Sequence, residues 1–178
     1  SCAVRWLCYS ALLRESNPQA RAAAGNRHSV FIDGEGRLSS CGNADHVPGL
    51  LGHGEGVTRL NTPTGLPQSL GERAVSMSAG KYHSLALAAD GCAWSWGDGL
   101  FGRLGHGDGQ NQLLPKKVEA FAGQRVVAVS ASRSHNFALT ADGAVWSWGG
   151  EDFGKLGHGE DLSNQLLPKK IEEWALGL

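Results

Sequence analysis

The residues of this chain whose types and spacing invite chemistry are its seven histidines and six tryptophans. Imidazole is the commonest metal ligand, so histidines brought together by their spacing predict a metal centre. No two histidines here have the His-x-x-x-His or Cys/His spacing of such a centre. Six of them instead form two recurring series, namely His28, His83 and His135, and His53, His106 and His158. We predict that each is structural and hydrogen-bonded to backbone, and we predict no metal and no cofactor.

The tryptophans raise a second possibility, an aromatic cage or a light-sensing cluster of indoles. Four of them form two copies of Trp-Ser-Trp-Gly, with Trp94, Trp96 and Gly97 in one and Trp146, Trp148 and Gly149 in the other. Because large rings at equivalent repeat positions fill space within and between sheets, we favour core packing.

The sequence contains neither the motif of a hydrolytic serine nor that of a phosphate-binding loop. The serines lie in repeated strand segments and none stands in Gly-x-Ser-x-Gly. The Leu-Gly-His-Gly element lacks the Lys-Ser/Thr that closes a phosphate-binding loop. We therefore predict no catalytic residue.

The sequence contains internal repeats, and these repeats indicate which structural elements position the histidines and tryptophans. Ala74–His83 matches Val126–His135 at a separation of 52 residues, and the Trp-Ser-Trp-Gly segments match at the same separation. Gly-x-Leu-Gly-His-Gly and Leu-Leu-Pro-Lys-Lys follow in both units. An earlier, weaker copy has Ser39 and Cys41 where the later units have tryptophan, so we expect a degenerate unit with a thinner core.

Each unit reads as β-structure, because runs such as Ser84–Ala88 favour a period of two and the Asp-Gly pairs are hairpin turns. About four strands per roughly fifty residues is the pattern of a β-propeller blade. We predict an all-β chain of about three four-stranded repeats. The predicted divisions are a leader at 1–19, a degenerate repeat at 20–68, repeats at 72–119 and 124–173, and a tail at 174–178.

The order Gly/Ser-x-x-His, Asp-Gly, Trp-Ser-Trp-Gly, Gly-x-Leu-Gly-His-Gly and Leu-Pro-Lys-Lys resembles the RCC1 (regulator of chromosome condensation) repeat. The resemblance implies an arc of a seven-bladed propeller within a longer protein. It also implies a protein-interaction module, with two alternatives. One is guanine-nucleotide exchange on a Ran-type small GTPase. The other is the substrate- or regulator-binding domain of a HECT-type ubiquitin ligase, whose catalytic domain lies elsewhere.

The net charge and the composition limit the classes of partner that we expect. The formal net charge of −1 gives no general attraction to phosphate backbones, so we expect other proteins as partners, a small GTPase among them, and no direct nucleic-acid binding. No apolar run reaches the roughly 18 residues of a membrane span, so we expect no membrane partner. Four scattered cysteines favour reduced thiols and a cytoplasmic or nuclear location. We expect self-assembly only if three blades are the whole protein.

Loops that differ between otherwise matching units are the predicted contact surface. Those after the Trp-Ser-Trp-Gly strands carry Asp98, Glu151 and Asp152. In the first unit the equivalent loop begins at Asn43 and Ala44, with its acid at Asp45.

Overall fold

The computed structural model describes residues 21–67 and 70–172 of the chain. They form three antiparallel four-stranded sheets, each with its strands in sequence order, which we call blades 1 to 3. The predicted leader at 1–19 and tail at 174–178 lie outside the described residues. The strands of blade 1 are β1 (Arg21–Ala24), β2 (His28–Ile32), β3 (Leu38–Asn43) and β4 (Arg59–Gly65). Those of blade 2 are β5 (Ala74–Ala79), β6 (His83–Ala88), β7 (Ala93–Gly97) and β8 (Gln112–Lys117). Those of blade 3 are β9 (Val126–Ala131), β10 (His135–Thr140), β11 (Val145–Gly149) and β12 (Gln165–Lys170).

The central hairpin of each blade is closed by the Asp-Gly type of turn that the sequence predicts. In blade 2 the Asp90 carboxylate accepts the Cys92 backbone N–H at 2.9 Å, and Gly91 has a φ of 90°. A left-handed φ of this kind is cheap only for glycine. The turn fixes one register in all three blades, so that the first histidine of each unit faces a glycine near the end of the third strand: His28↔Gly42, His83↔Gly97 and His135↔Gly149.

The blades pack face to face, and the hydrophobic core lies between them. Trp96 of blade 2 joins Val30 and Ile32 of blade 1 in one cluster, and Trp148 of blade 3 joins Leu85 and Leu87 of blade 2 in the next. All six residues of β6 are buried, whereas β2 and β10 alternate between buried and partly exposed residues. The middle blade is therefore covered on both faces, and the predicted all-β architecture of blades is confirmed.

Blade 1 forms a complete sheet even though it lacks both tryptophans of the other units. Its β3–β4 loop supplies a small apolar cluster of its own, built on Ala44, Val47, Leu50 and Leu51. Tyr82 of blade 2 packs against this cluster. The degenerate unit thus takes part of its core from its loop and from its neighbour.

Candidate interaction face

One end of the blades carries all the long connections. In an antiparallel meander the first turn and the third connection lie at the same end of the sheet. We call this the long-loop end. It comprises the turns at 25–27, 80–82 and 132–134 and the loops at 44–58, 98–111 and 150–164. The turns join the first two strands of each blade, and the loops join the last two.

A serine and a histidine fasten each long loop to its own blade. In blade 2 the Ser95 hydroxyl donates to the Leu104 carbonyl at 2.7 Å and lies 2.9 Å from Nε2 of His106. Since the hydroxyl proton is used on the carbonyl, His106 Nε2–H is the donor to Ser95 Oγ. Burial lowers the pKa of His106 to about 4, so the ring is neutral at pH 7. The same arrangement recurs in the other blades as Ser40, Leu51 and His53, and as Ser147, Leu156 and His158.

The other histidine series bridges adjacent blades. His28 Nε2 lies 2.8 Å from Ser84 Oγ, and His83 Nε2 lies 2.5 Å from Asn136 Oδ1. Burial lowers the pKa of both histidines to about 4. His135 is half-buried and meets the Phe137 ring edge-on at 5.5 Å. The prediction that these histidines bond to backbone is wrong for His28 and His83, whose partners are side chains of the next blade.

The tryptophans are used for packing. Trp96 and Trp148 are fully buried, and the Trp148 indole N–H donates to the Arg103 carbonyl of blade 2 at 3.2 Å. Trp94 and Trp146 are partly buried and pack at the edges of the two clusters. Their placement agrees with the core-packing interpretation rather than with a cage.

The glycine of Trp-Ser-Trp-Gly is required by close backbone approach. Gly97 and Gly149 both have a φ of 105°. A Cβ on Gly97 would lie 2.6 Å from the Tyr82 carbonyl oxygen. Any side chain at this position would push the third strand away from the preceding turn.

The predicted contact acids have different environments. Asp152 is 67% exposed and pairs with Lys155 Nζ at 2.7 Å. Asp98 accepts the Leu100 N–H at 2.8 Å, and its other oxygen lies 3.4 Å from Arg103 Nη1. Both therefore lie at the long-loop end, although each is already engaged with a cation.

Glu151 is a correction to the sequence prediction. Its side chain is buried, with the residue only 9% exposed, and its carboxylate accepts the backbone N–H groups of Lys155 and Leu156, both at 2.9 Å. The carboxylate shapes the loop from within, and the prediction that it offers a contact surface is wrong. Its own N–H donates to Asn164, just as Gly99 donates to Asn111 in blade 2. In this structural position blade 2 has a glycine and no acid.

In blade 1 the loop begins with a local polar turn. The Asn43 side-chain oxygen accepts the Asp45 N–H at 2.9 Å, and Asp45 pairs with Arg59 at 3.3 Å. Ala44 between them is buried at 3% exposure and belongs to the loop core, so position 44 offers no contact surface. Asp45 is an exposed acid of this loop, as is Glu55.

The sequence prediction missed a set of cations on the three short turns. Arg27, Lys81 and Arg133 each stand one or two residues before the first histidine of a unit. That constant place was the signal that would have found them. The turns touch in series, because a Cβ on Gly25 would lie 2.6 Å from the Gly80 carbonyl oxygen, and the Lys81 N–H donates to the Ser132 carbonyl at 3.3 Å.

Metal binding and membrane crossing find no support within residues 21–67 and 70–172. There, no group of three or more histidine, cysteine, aspartate or glutamate side chains is placed to hold a metal ion. None of the helices in that part of the chain has the length and apolar character needed to cross a bilayer.

Comparison with known proteins identifies the repeats. The model of the regulator of chromosome condensation (RCC1) repeat matches residues 90–139 and 142–174. A second model of the same description matches 74–103 and 126–155, so that the two together cover more than half of the chain. The chain belongs to the RCC1 repeat family. Blade 1 lies outside the matched ranges, and its membership rests on the shared sheet order, register and serine–histidine fastening.

Relatives with RCC1 repeats are much longer than this chain. It is similar to human E3 ubiquitin-protein ligase HERC2, with 41% identity over 151 residues, which is 84% of this chain and 3% of HERC2. It is also similar to the ultraviolet-B receptor UVR8 of Arabidopsis thaliana, with 37% identity over 84% of this chain and 33% of the receptor.

Two solved structures share the fold. Human WBSCR16 superposes with a TM-score of 0.78 at 26% identity, covering 93% of this chain and 41% of that one. Prp20p of Saccharomyces cerevisiae, described with its binding to Gsp1p and histones, superposes with a TM-score of 0.76 at 24% identity over 87% of this chain and 38% of that one. This chain thus spans about two fifths of the length of either protein.

Proposed function

We propose that this RCC1 chain is a protein-interaction module that binds its partner at the long-loop end. The observation that carries the proposal is that repeated side chains are buried in the blades, whereas variable side chains are exposed. The side chains that recur from unit to unit bond and pack inside the blades, as with Ser95, His106 and Trp148. The position three residues after the glycine near the end of each third strand varies between units, as Asp45, Leu100 and Asp152, and it is exposed at one end of all three blades. A rigid scaffold with variable loops at one end is the usual form of a binding domain.

Charge reversal at the two ends of the blades tests this proposal. The first variant carries Asp45→Arg and Asp152→Arg at the long-loop end. Its matched control carries Glu35→Arg and Glu119→Arg, two exposed acids at the opposite end. Both variants change the net charge equally, so only the position of the change differs.

The readout is quantitative mass spectrometry of proteins captured from cells by the immobilised chain. We expect capture of a partner to be unchanged for the control variant and to change for the long-loop variant, falling for a basic partner surface and rising for an acidic one. A changed capture by the control variant, or unchanged capture by both variants, would place binding elsewhere and contradict the proposal.

A ligase-associated role is a second candidate, favoured by the 41% identity to HERC2. In this role the RCC1 blades recruit a substrate or regulator, and a catalytic domain outside the blades transfers ubiquitin. An antibody to this chain should then recover a native protein well above 18.7 kDa that carries a thiol-sensitive ubiquitin adduct. Recovery of a protein that never forms this adduct would contradict the ligase role and leave the interaction module standing.

Exchange on a Ran-type GTPase stays a prediction, which release of fluorescent GDP from the GTPase would test. A cytoplasmic or nuclear location is likewise proposed, supported by the free thiols of Cys41 and Cys92.

A further inference from the structure

Cations of two short turns and one long loop surround Tyr82. Lys81 Nζ lies 4.7 Å from the centroid of the Tyr82 ring, and the Arg103 guanidinium carbon lies 5.5 Å from it. Arg133 is on the adjacent turn, which the Lys81 N–H contacts through the Ser132 carbonyl. A hydrogen bond from Lys81 lowers the pKa of Tyr82, and the charges of Arg133 and Arg103 lower it further.

Arg103 is held rigidly in this cluster. Its side chain is only 3% exposed, and its Nε donates to the Leu100 carbonyl at 2.8 Å. The guanidinium lies between the rings of Tyr82 and Phe101, the latter at 5.7 Å. Its Nη1 is 3.4 Å from Asp98 Oδ2 but has no hydrogen-bond partner, so a buried donor is left unused. A buried donor without a hydrogen-bond partner is costly, and the guanidinium charge adds to the positive potential of the cluster.

The positive charge of the cluster is only partly neutralised. Within residues 21–67 and 70–172 neither Lys81 nor Arg133 forms an ion pair, and Asp98 offsets Arg103 alone. The other nearby acid, Asp152, is paired with Lys155. Two cations on touching turns therefore face solvent beside a third that is buried.

We propose that Lys81, Tyr82, Arg103 and Arg133 form a binding site for an acidic peptide segment of a partner protein. This site rests on the proposed interaction function and names the chemistry of its partner. The exposed cations attract the carboxylates, and the tyrosine hydroxyl gives them hydrogen bonds, which are strong when the acceptor is charged. Asp98 borders the site beside Arg103, and Asp152 lies within the field of Arg133. These acids would repel the continuous phosphate row of a nucleic acid. A short peptide places its carboxylates between them.

Fluorescence anisotropy with a fluorescein-labelled peptide of alternating glutamate and glycine tests the site. The variant carries Lys81→Gln and Arg133→Gln, and the matched control carries Lys116→Gln and Lys170→Gln on the outer strands, all at residues with solvent-accessible side chains. Far-UV circular dichroism verifies that both variants are folded. We expect the dissociation constant to rise at least about tenfold for the first variant and to stay within about twofold for the control.

Three results would overturn the proposal. They are an absence of binding by the unmodified chain, equal weakening by the two variants, and tighter binding of a labelled single-stranded oligothymidine than of the peptide. If the peptide fails while charge reversal of Asp45 and Asp152 still changes partner capture, the acidic-peptide site is wrong and the interaction function stands.

Discussion

Two glycines at equivalent places in blades 2 and 3 provide a matched test of how the blades are joined. Gly102 and Gly154 both have a φ of 75°. A Cβ on Gly102 would lie 2.5 Å from the Leu166 Cα of blade 3, whereas a Cβ on Gly154 would meet nothing within 4 Å. The same substitution by alanine therefore clashes with a neighbouring blade in one case and enters open space in the other.

The expected free energies follow from these two environments. Alanine in the left-handed region costs about 1 kcal/mol at either site, and its effect on the unfolded chain is the same at both. Gly102→Ala adds the strain of overpacking against backbone, about 1–3 kcal/mol. We expect Gly154→Ala to cost about 1 kcal/mol and Gly102→Ala about 2–4 kcal/mol. The difference isolates the junction between blades.

Urea unfolding followed by far-UV circular dichroism measures the difference. With a denaturant slope of about 2 kcal/mol per molar, the two midpoints should differ by about 1 M. Equal midpoints would show that the loop of blade 2 does not bear on the outer strand of blade 3, and the description of that junction would be wrong.

Three further perturbations have defined outcomes. Trp148→Ala should lower the free energy of unfolding by about 3–5 kcal/mol, because it empties a fully buried position. Trp146→Ala should cost less, because Trp146 is only partly buried. The urea midpoints of the two variants measure the difference, and an equal cost would contradict the assigned burial. His83 has its pKa lowered to about 4 by burial, so the unfolded chain takes up its proton first as the pH falls, and stability is fully present above pH 6.5 and falls between 6.5 and 4. His83 contributes about 3 kcal/mol to that loss, and His28 and His106, whose pKa values burial also lowers to about 4, contribute as well. Unfolding titrations should therefore show a smaller loss for His83→Gln than for the unmodified chain, with the rest of the profile retained. Glu151→Gln should cost about 1–2 kcal/mol by weakening two backbone hydrogen bonds. Asp152→Asn should leave the thermal midpoint nearly unchanged, because that side chain is exposed. The reverse order would restore Glu151 as a surface residue.

The repeat made the sheets predictable from sequence. The Asp-Gly turns and the period-two runs mark the central hairpin, and the recurrence of Trp-Ser-Trp-Gly marks the third strand of each later unit. These signals are local, so they survive without any knowledge of the packing. Which side chains meet across a blade junction depends on residues that are distant in sequence. The partner of His83 is Asn136 of another blade, and no spacing rule within one unit reveals it.

The interaction face was harder to predict for the same reason. Glu151 and Asp152 are adjacent in sequence, yet one turns inward to bond two backbone N–H groups and the other stays in solvent. Arg103 lies within a repeated loop, but its burial between two aromatic rings depends on how that loop folds back on a turn. Differences between the sequence units identified the variable loops. Only the structure showed which of their side chains face outward.

The way the long loops dock has a consequence for the order of folding on the ribosome. Glycines of the first two long loops rest on the following blade, as Gly49 does on the β8 backbone and Gly105 does on Trp148. When a unit leaves the exit tunnel, the surface that receives its loop has not yet been synthesised. Each loop therefore waits for the next unit before it closes, and the nascent chain always carries one unfinished blade behind its growing end. An elongation pause late in a repeat would prolong that open state, whereas a pause just after the outer strand would let the loop close.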